Sequence, residues 1–287
     1  MNIIISGLIM GSMLALLGIG FSLIFGVARI VNIAHTAFYM LAAYFIYQLS
    51  IKLGLNPILG MLIAVTTVTL LGLLVYKFLI DPIREHEGAV LIATIALAMV
   101  FQEGVLLSFT GDYLTVDFLI DGFFTIGGVK VFYQQLLTFG MVLLAMAVLW
   151  FLLMKTKLGL AIRSMAEDRE IANLMGMNES RLAMITLGIS VALAGFTGAV
   201  LAPLTVLNPY MWMEPLIMMM AVVVLGGLGS IKGSVVAAFI LGFAEAAVVF
   251  LIPQGAFLKG SVALTIMILV LLMRPEGLFG IVFEEER

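Results

Sequence analysis

Long apolar runs parted by short polar interruptions make up most of this chain. Nine of them approach the roughly 20 mainly apolar residues that a membrane-crossing helix needs. They are Ile3–Val27, Ile30–Leu49, Pro57–Leu79, Ala89–Phe109, Gln134–Met154, Leu182–Leu207, Pro215–Gly229, Val235–Ile252 and Gly260–Met273. The seventh and ninth are short, and the link VARIVNIAHT between the first two is tight. The pattern predicts nine spans, or eight if Pro215–Gly229 enters the bilayer without crossing it. The expected fold is an all-α integral membrane protein, a polytopic helical bundle forming one domain over residues 1–287.

Composition strengthens that picture and excludes others. Of 287 residues 63% are hydrophobic and 11% charged, with a mean hydropathy of +1.24. A soluble domain carries about 25% charge, so this chain has too few polar groups to cover a water-facing surface. A net charge of −3 without a basic cluster offers no face to nucleic acid. There is no cysteine, and the two histidines, His35 and His86, stand far apart; neither a disulfide framework nor a metal site is expected. The opening run has no basic leader and outlasts a signal-peptide core, so it is expected to be a retained span.

Charge then orients the bundle. Alternating nine spans collects Arg29, Lys77, Arg84, Lys155, Lys157, Arg163, Arg169, Arg181, Lys232, Arg274 and Arg287 on one side, against Lys52, Lys130 and Lys259 on the other. Cytoplasmic loops carry the excess of Lys and Arg, which predicts a cytoplasmic C-terminus and an external N-terminus. The acids Asp112, Asp117 and Asp121 fall in an external loop.

Three features inside this frame bear on chemistry. Gly226, Gly227, Gly229 and Gly233 crowd VVVLGGLGSIKGSVV and suggest a broken helix, which membrane depth allows only against protein or a watery cavity. GGLGSIKGS is no phosphate-binding loop, because Lys232 precedes its glycine and no glycine stands five residues before a Gly-Lys-Ser/Thr. Glu245 sits near the middle of the eighth run, where a charge costs on the order of 2.5–3.5 kcal/mol; it is either a pathway residue or a bridge between helices. Glu103 lies nearer a helix end and is expected to be a hydrogen-bonded or interfacial acid. A secondary transporter or channel is the rival reading, but two isolated acids support it thinly. No constellation for catalysis stands out, and no enzyme is expected.

The longest charged insert is RSMAEDREIANLMGMN, Arg163–Asn178. Asp168 suits an N-cap and Gly176 the left-handed residue that ends a helix, predicting about two turns between Asp168 and Met175. Ile171, Leu174 and Met175 fall on one face. They are expected to pack back on the bundle, leaving Arg169 and the acids toward the cytoplasm. An ordinary charged loop is the alternative.

The run KTKLGLAIRSMAEDREIANLMGMN resembles the cytoplasmic coupling segment of LivH-type permeases of branched-chain amino acid ABC importers. FSLIFGVARIVNIAHTAFYMLAAY, with Asn32, Ala34, His35, Phe38 and Tyr39, is similar to that family's N-terminal signature. VVVLGGLGSIKGSVVAAFILG and the ending LMRPEGLFG resemble its C-terminal ones. Departures are Thr36 where glycine is common, Lys232 for proline and Met177 for isoleucine.

The resemblance implies a bacterial inner-membrane permease that moves branched-chain or related solutes, among them other amino acids, amides or urea. It implies a second permease of the LivM type, two cytoplasmic ATP-binding subunits and a periplasmic binding protein as partners. ATP and Mg would be held by those subunits, with no cofactor in this chain. Residues about 156–180 would form the coupling segment, with Ala166, Glu167, Asp168, Arg169, Ala172 and Gly176 at its centre. Asn32, His35, Glu245, Gly226, Gly227 and Gly229 would lie on the substrate pathway or in the bundle interior, Asn32 and His35 holding the first cytoplasmic turn.

Overall fold

The computed structural model describes residues 2–126 and 129–279. Arg287 and Gly280, counted above among the cations and in the ending motif, lie outside the described residues, as does the C-terminus. Each of the nine apolar runs contains a helix. In chain order these are α1 (Asn2–Ala28), α2 (His35–Ile46), α3 (Pro57–Val75), α4 (Glu87–Phe109), α5 (Tyr133–Lys155), the short α6 (Lys157–Glu167) and α7 (Arg169–Leu174), then α8 (Glu179–Leu201), α9 (Met213–Gly226), α10 (Ile231–Leu251) and α11 (Lys259–Met273). Among the described residues six helices are long and apolar enough to cross a membrane; α9 and α11 are shorter. α2 is extended by a π-helical turn, Tyr47–Lys52. α3 winds on through a π turn, Tyr76–Ile80, and a 3₁₀ turn, Asp81–Ile83.

α1 and α8 form the centre and are buried over most of their length, whereas α3, α4 and α5 expose most of theirs. Their outward side chains, Leu62, Ile92 and Leu144 among them, are what a lipid-facing surface requires. Lipid gives apolar helices no drive to associate, so close backbone packing must supply it. The α1–α10 contact shows how: a Cβ on Gly242 would run into the backbone nitrogen of Gly11, so only glycine fits. A buried hydrogen bond of 2.6 Å between the Ser22 and Ser234 hydroxyls ties the same pair of helices.

The expected helical bundle is there, and two of its details need correction. The loop after α4 contains an antiparallel hairpin, β1 (Phe123–Ile126) and β2 (Val129–Phe132), paired Phe123 to Phe132 and Ile126 to Val129. Among the described residues the fold is therefore helical with one small β hairpin. The alternation in FFTI and VKVF around Gly127–Gly128 is a hairpin signal, although those two glycines lie outside the described residues.

The second correction concerns where the helical backbone is broken. Gly226–Ser230 is a tight reversal joining α9 to α10, with Gly227 and Gly229 at φ 97° and 83°. A Cβ on Gly226 would meet the Gly233 backbone at 2.5 Å. Leu278 and Phe279 donate their N–H groups to the carbonyls of Leu225 and Gly226, satisfying the open end of α9 and giving the LMRPEGLFG ending its place. Irregular backbone within the bundle lies instead at residues 29–34, where Ile30, Asn32 and Ala34 are buried. Here Thr94 of α4 accepts from the Ile33 N–H at 3.3 Å, and the Asn32 carbonyl accepts from His35. Protein groups thereby stand in for water at these buried backbone atoms.

Candidate functional site

The charged insert folds into two short helices. α6 starts at Thr156, whose hydroxyl accepts from the Gly159 N–H at 3.0 Å, and buries Gly159, Ile162 and Met165. Ile162, Met165 and Ala172 enter an apolar cluster with Ile19 and Leu23 of α1, with Leu149 and Leu153 of α5, and with Leu182 of α8. Ala166 lies against Gly26 near the end of α1. Glu167 closes α6.

At Asp168 the chain turns into α7. The Asp168 carboxylate accepts from the Ile171 N–H at 2.9 Å, the N-cap that its residue type predicts. The far end is closed by a paired set of bonds: Gly176 N–H to the Asn173 carbonyl at 3.0 Å, and Met177 N–H to Ala172 at 3.1 Å. Gly176 stands at φ 83°, the left-handed position such a closure demands. Asn178 then caps α8 through the Arg181 N–H at 2.9 Å. Six residues cannot hold a helix by themselves; caps at both ends and buried Ala172 supply what length does not.

The direction of the α7 face reverses the expectation. Ile171, Leu174 and Met175 are 60%, 86% and 77% exposed, so the apolar face points away from the bundle. Arg169 points inward and its guanidinium meets the Glu179 carboxylate at 2.6 Å. Ala172 is small enough to sit close on the bundle, and the Arg169–Glu179 pair fixes which way the short helix is turned.

Around that pair a polar base joins three parts of the fold. Arg84 stands 4.0 Å from Glu179 and 3.7 Å from Asp81. Asp81 accepts from the Ser180 hydroxyl at 2.9 Å and from Tyr76 at 3.3 Å. The end of α3, the start of α8 and α7 are thereby linked through side chains. Beside them a cleft of about 280 Å³ is bordered by Arg29, Arg84, Arg169, Glu85, Glu87 and Glu179.

The remaining predicted residues lie elsewhere. Asn32 and His35 are buried inside the bundle, and the His35 Nδ1 stands 3.2 Å from the Ser190 hydroxyl of α8. His35 packs on Gly20, eight residues before the end of α1, or about 12 Å at 1.5 Å per residue. It therefore ties α2 to α8 well inside the bundle rather than holding a surface turn. Gly226, Gly227 and Gly229 form the reversal between α9 and α10, and Gly229 borders a cleft that also touches Ala166. Glu245 is at the opposite end of the bundle, 3.2 Å from the Lys259 ammonium, which is also 3.6 Å from Glu214. Glu103 accepts from Gln102, whose own carbonyl oxygen accepts from Trp212. Sequence reasoning missed Glu179, Arg84 and Asp81, whose charges sit at helix ends but whose partners lie up to about a hundred residues apart. Ser180 and Asp81 are 99 apart.

Residues 3–271 match the family model described as the permease component of the branched-chain amino acid transport system. The high-affinity branched-chain amino acid transport system permease protein BraD of Pseudomonas aeruginosa is 32% identical, over 96% of this chain and 94% of that one. LivH of Escherichia coli K12, named for the same transport system, is 29% identical over the same shares. A probable branched-chain amino acid transport permease protein LivH from Methanocaldococcus jannaschii is 26% identical, over 96% of this chain and 90% of its own length. Among solved structures, PsaBC from Streptococcus pneumoniae in complex with Fab aligns with a TM-score of 0.53 at 13% identity, covering 96% of this chain and 91% of that one. That likeness extends to the fold alone.

Proposed function

Because the chain belongs to the family of branched-chain amino acid transport permeases, a multi-pass membrane subunit of ABC importers that work with ATPase and binding-protein partners, we propose that it carries branched-chain amino acids across a bacterial inner membrane. Its partners in this reading are a second permease of the LivM type, a periplasmic binding protein and two cytoplasmic ATP-binding subunits, which hold the nucleotide and Mg. This chain contributes the path and no ATPase site. The basic end of the bundle faces the cytoplasm and the N-terminus faces outward.

The observation that carries the reading is the outward face of α7. Three large apolar side chains stand exposed on a short helix that is closed at both ends and anchored by Ala172 and Arg169. Full burial of such a side chain is worth roughly 1.5–3 kcal/mol, so a groove that takes all three gains a firm hold. Force applied there reaches α8 through Arg169–Glu179 and the end of α3 through Arg84 and Asp81. A solvated surface loop needs none of this: its apolar residues would turn inward and its charges outward.

Mechanically, the ATPases closing on nucleotide move α6–α7, and the polar base passes that displacement to α3 and α8. The bundle then changes between two packings whose balance the partner biases. The test is reconstitution. Vesicles holding the full complex should accumulate radiolabelled leucine only with ATP and loaded binding protein, and vesicles with this chain alone should neither accumulate it nor pass current. Full-rate uptake by the isolated chain would favour a secondary transporter or channel.

A further inference from the structure

At the end of the bundle opposite α7 lies a cavity of about 370 Å³, lined by residues of α1, α2, α5, α8, α9, α10 and α11. Small-molecule sites fall in the range of about 300–1,000 Å³. One wall is apolar, with Met10, Met13, Leu14 and Met218; Glu214, Glu245 and Lys259 also line the cavity. The three charged residues come from three helices, yet Lys259 reaches Glu245 at 3.2 Å and Glu214 at 3.6 Å. Glu245 is buried within α10, while Glu214 stands open to solvent.

We propose that this cavity binds an α-amino acid as its zwitterion, with Lys259 taking the carboxylate, Glu214 and Glu245 the ammonium, and the methionine wall an apolar side chain. This assignment rests on the permease reading and names the groups that recognise its substrate.

The charge balance supports it. A zwitterion brings one positive and one negative group, so the cluster keeps its net charge when the ligand enters. An anion would add charge to a cluster already carrying two carboxylates and one ammonium, and an uncharged amide would leave the opened ion pairs unmatched. Methionine is flexible and polarisable and adapts to side chains of different branching. A buried ion pair that only fastened helices is replaceable by apolar residues at little cost in stability, whereas a pair that recognises a ligand is not replaceable without loss of transport.

That same property supplies the test, made with the complete complex in vesicles and with radiolabelled L-leucine as probe. Glu245→Leu combined with Lys259→Leu should assemble at wild-type yield and melt close to wild type, while ATP-driven uptake falls by about tenfold or more; Lys259→Arg should stay within about threefold. Uptake by the assembled apolar double variant at half the wild-type rate or better would show a mere helix fastener and overturn the proposal. If that variant fails to assemble, Glu214→Gln decides, because this exposed carboxylate bears little on folding. A loss of about threefold or more supports the site, and an unchanged rate overturns it. Absence of leucine uptake by the wild-type complex overturns the functional reading, and the ligand assignment with it.

Discussion

On α7, three apolar side chains stand in the open above a charged base; in the cavity at the opposite end, three charged side chains converge beside an apolar wall. Each arrangement inverts what its surroundings favour. Water disfavours exposed Leu174, and low-dielectric protein disfavours buried Glu245. The inversions differ in what relieves them. An exposed apolar face is relieved by another apolar surface, which a protein partner offers over a broad area. Charges gathered around one buried carboxylate are relieved by a small polar molecule of matching charge. The two ends of one bundle thus ask for different partners, and they do so through the same physical rule.

The comparison is broken most severely at α7. Leu174→Asp with Met175→Asp places two carboxylates on the exposed face without touching the bundle. Surface changes of this kind leave folding within about 0.5 kcal/mol, so membrane insertion should be normal. Co-purification of the ATP-binding subunits should fall by about twentyfold or more, as expected when burying a charge replaces burying an apolar group. Wild-type co-purification would remove the docking role from this face.

A smaller effect is expected from Arg169→Ala, which keeps the apolar face but frees its base. The pair with Glu179 is only partly shielded from water, so its direct contribution to stability is about 1 kcal/mol or less. The complex should assemble and hydrolyse ATP while leucine moved per ATP drops by about three- to tenfold. An unchanged ratio would mean that displacement reaches α8 by another route. The smallest effect belongs to Asp168→Ala, which removes one cap worth about 1 kcal/mol. Uptake should fall by about two- to fivefold, and Asp168→Asn should restore most of it, because asparagine caps nearly as well.

How much of this is legible before folding depends on the range of the forces involved. The helix positions are legible because hydropathy is summed along one stretch of chain, and α4 at Glu87–Phe109 lies within two residues of the apolar run that announces it. The caps of α7 are legible for the same reason: Asp168 and Gly176 act on backbone groups a few residues away. The hairpin Phe123–Phe132 is also readable from its alternation and its Gly-Gly link, although the acids around it make the whole stretch read as an external loop. The direction in which α7 faces is not legible. Periodicity puts Ile171, Leu174 and Met175 on one side of a helix but does not say what that side meets. Arg169 finds Glu179 ten residues on, and Arg84 nearly a hundred away. Glycine density misplaces the backbone break, because it marks close approach and reversal as readily as a broken span. Residues 29–34 contain no glycine at all.

From the order of its residues alone, this protein is membrane-bound, helical, divided at predictable points and provided with a short capped helix among its charges. Those properties follow from free energies that each segment settles with solvent or with its own backbone. The facing of α7, the depth of His35 and the meeting of Glu214, Glu245 and Lys259 were decided only when distant helices packed. Each of these depends on which charges and surfaces arrive within a few ångströms of each other, and at that distance the partner, rather than the local run of sequence, sets the energy.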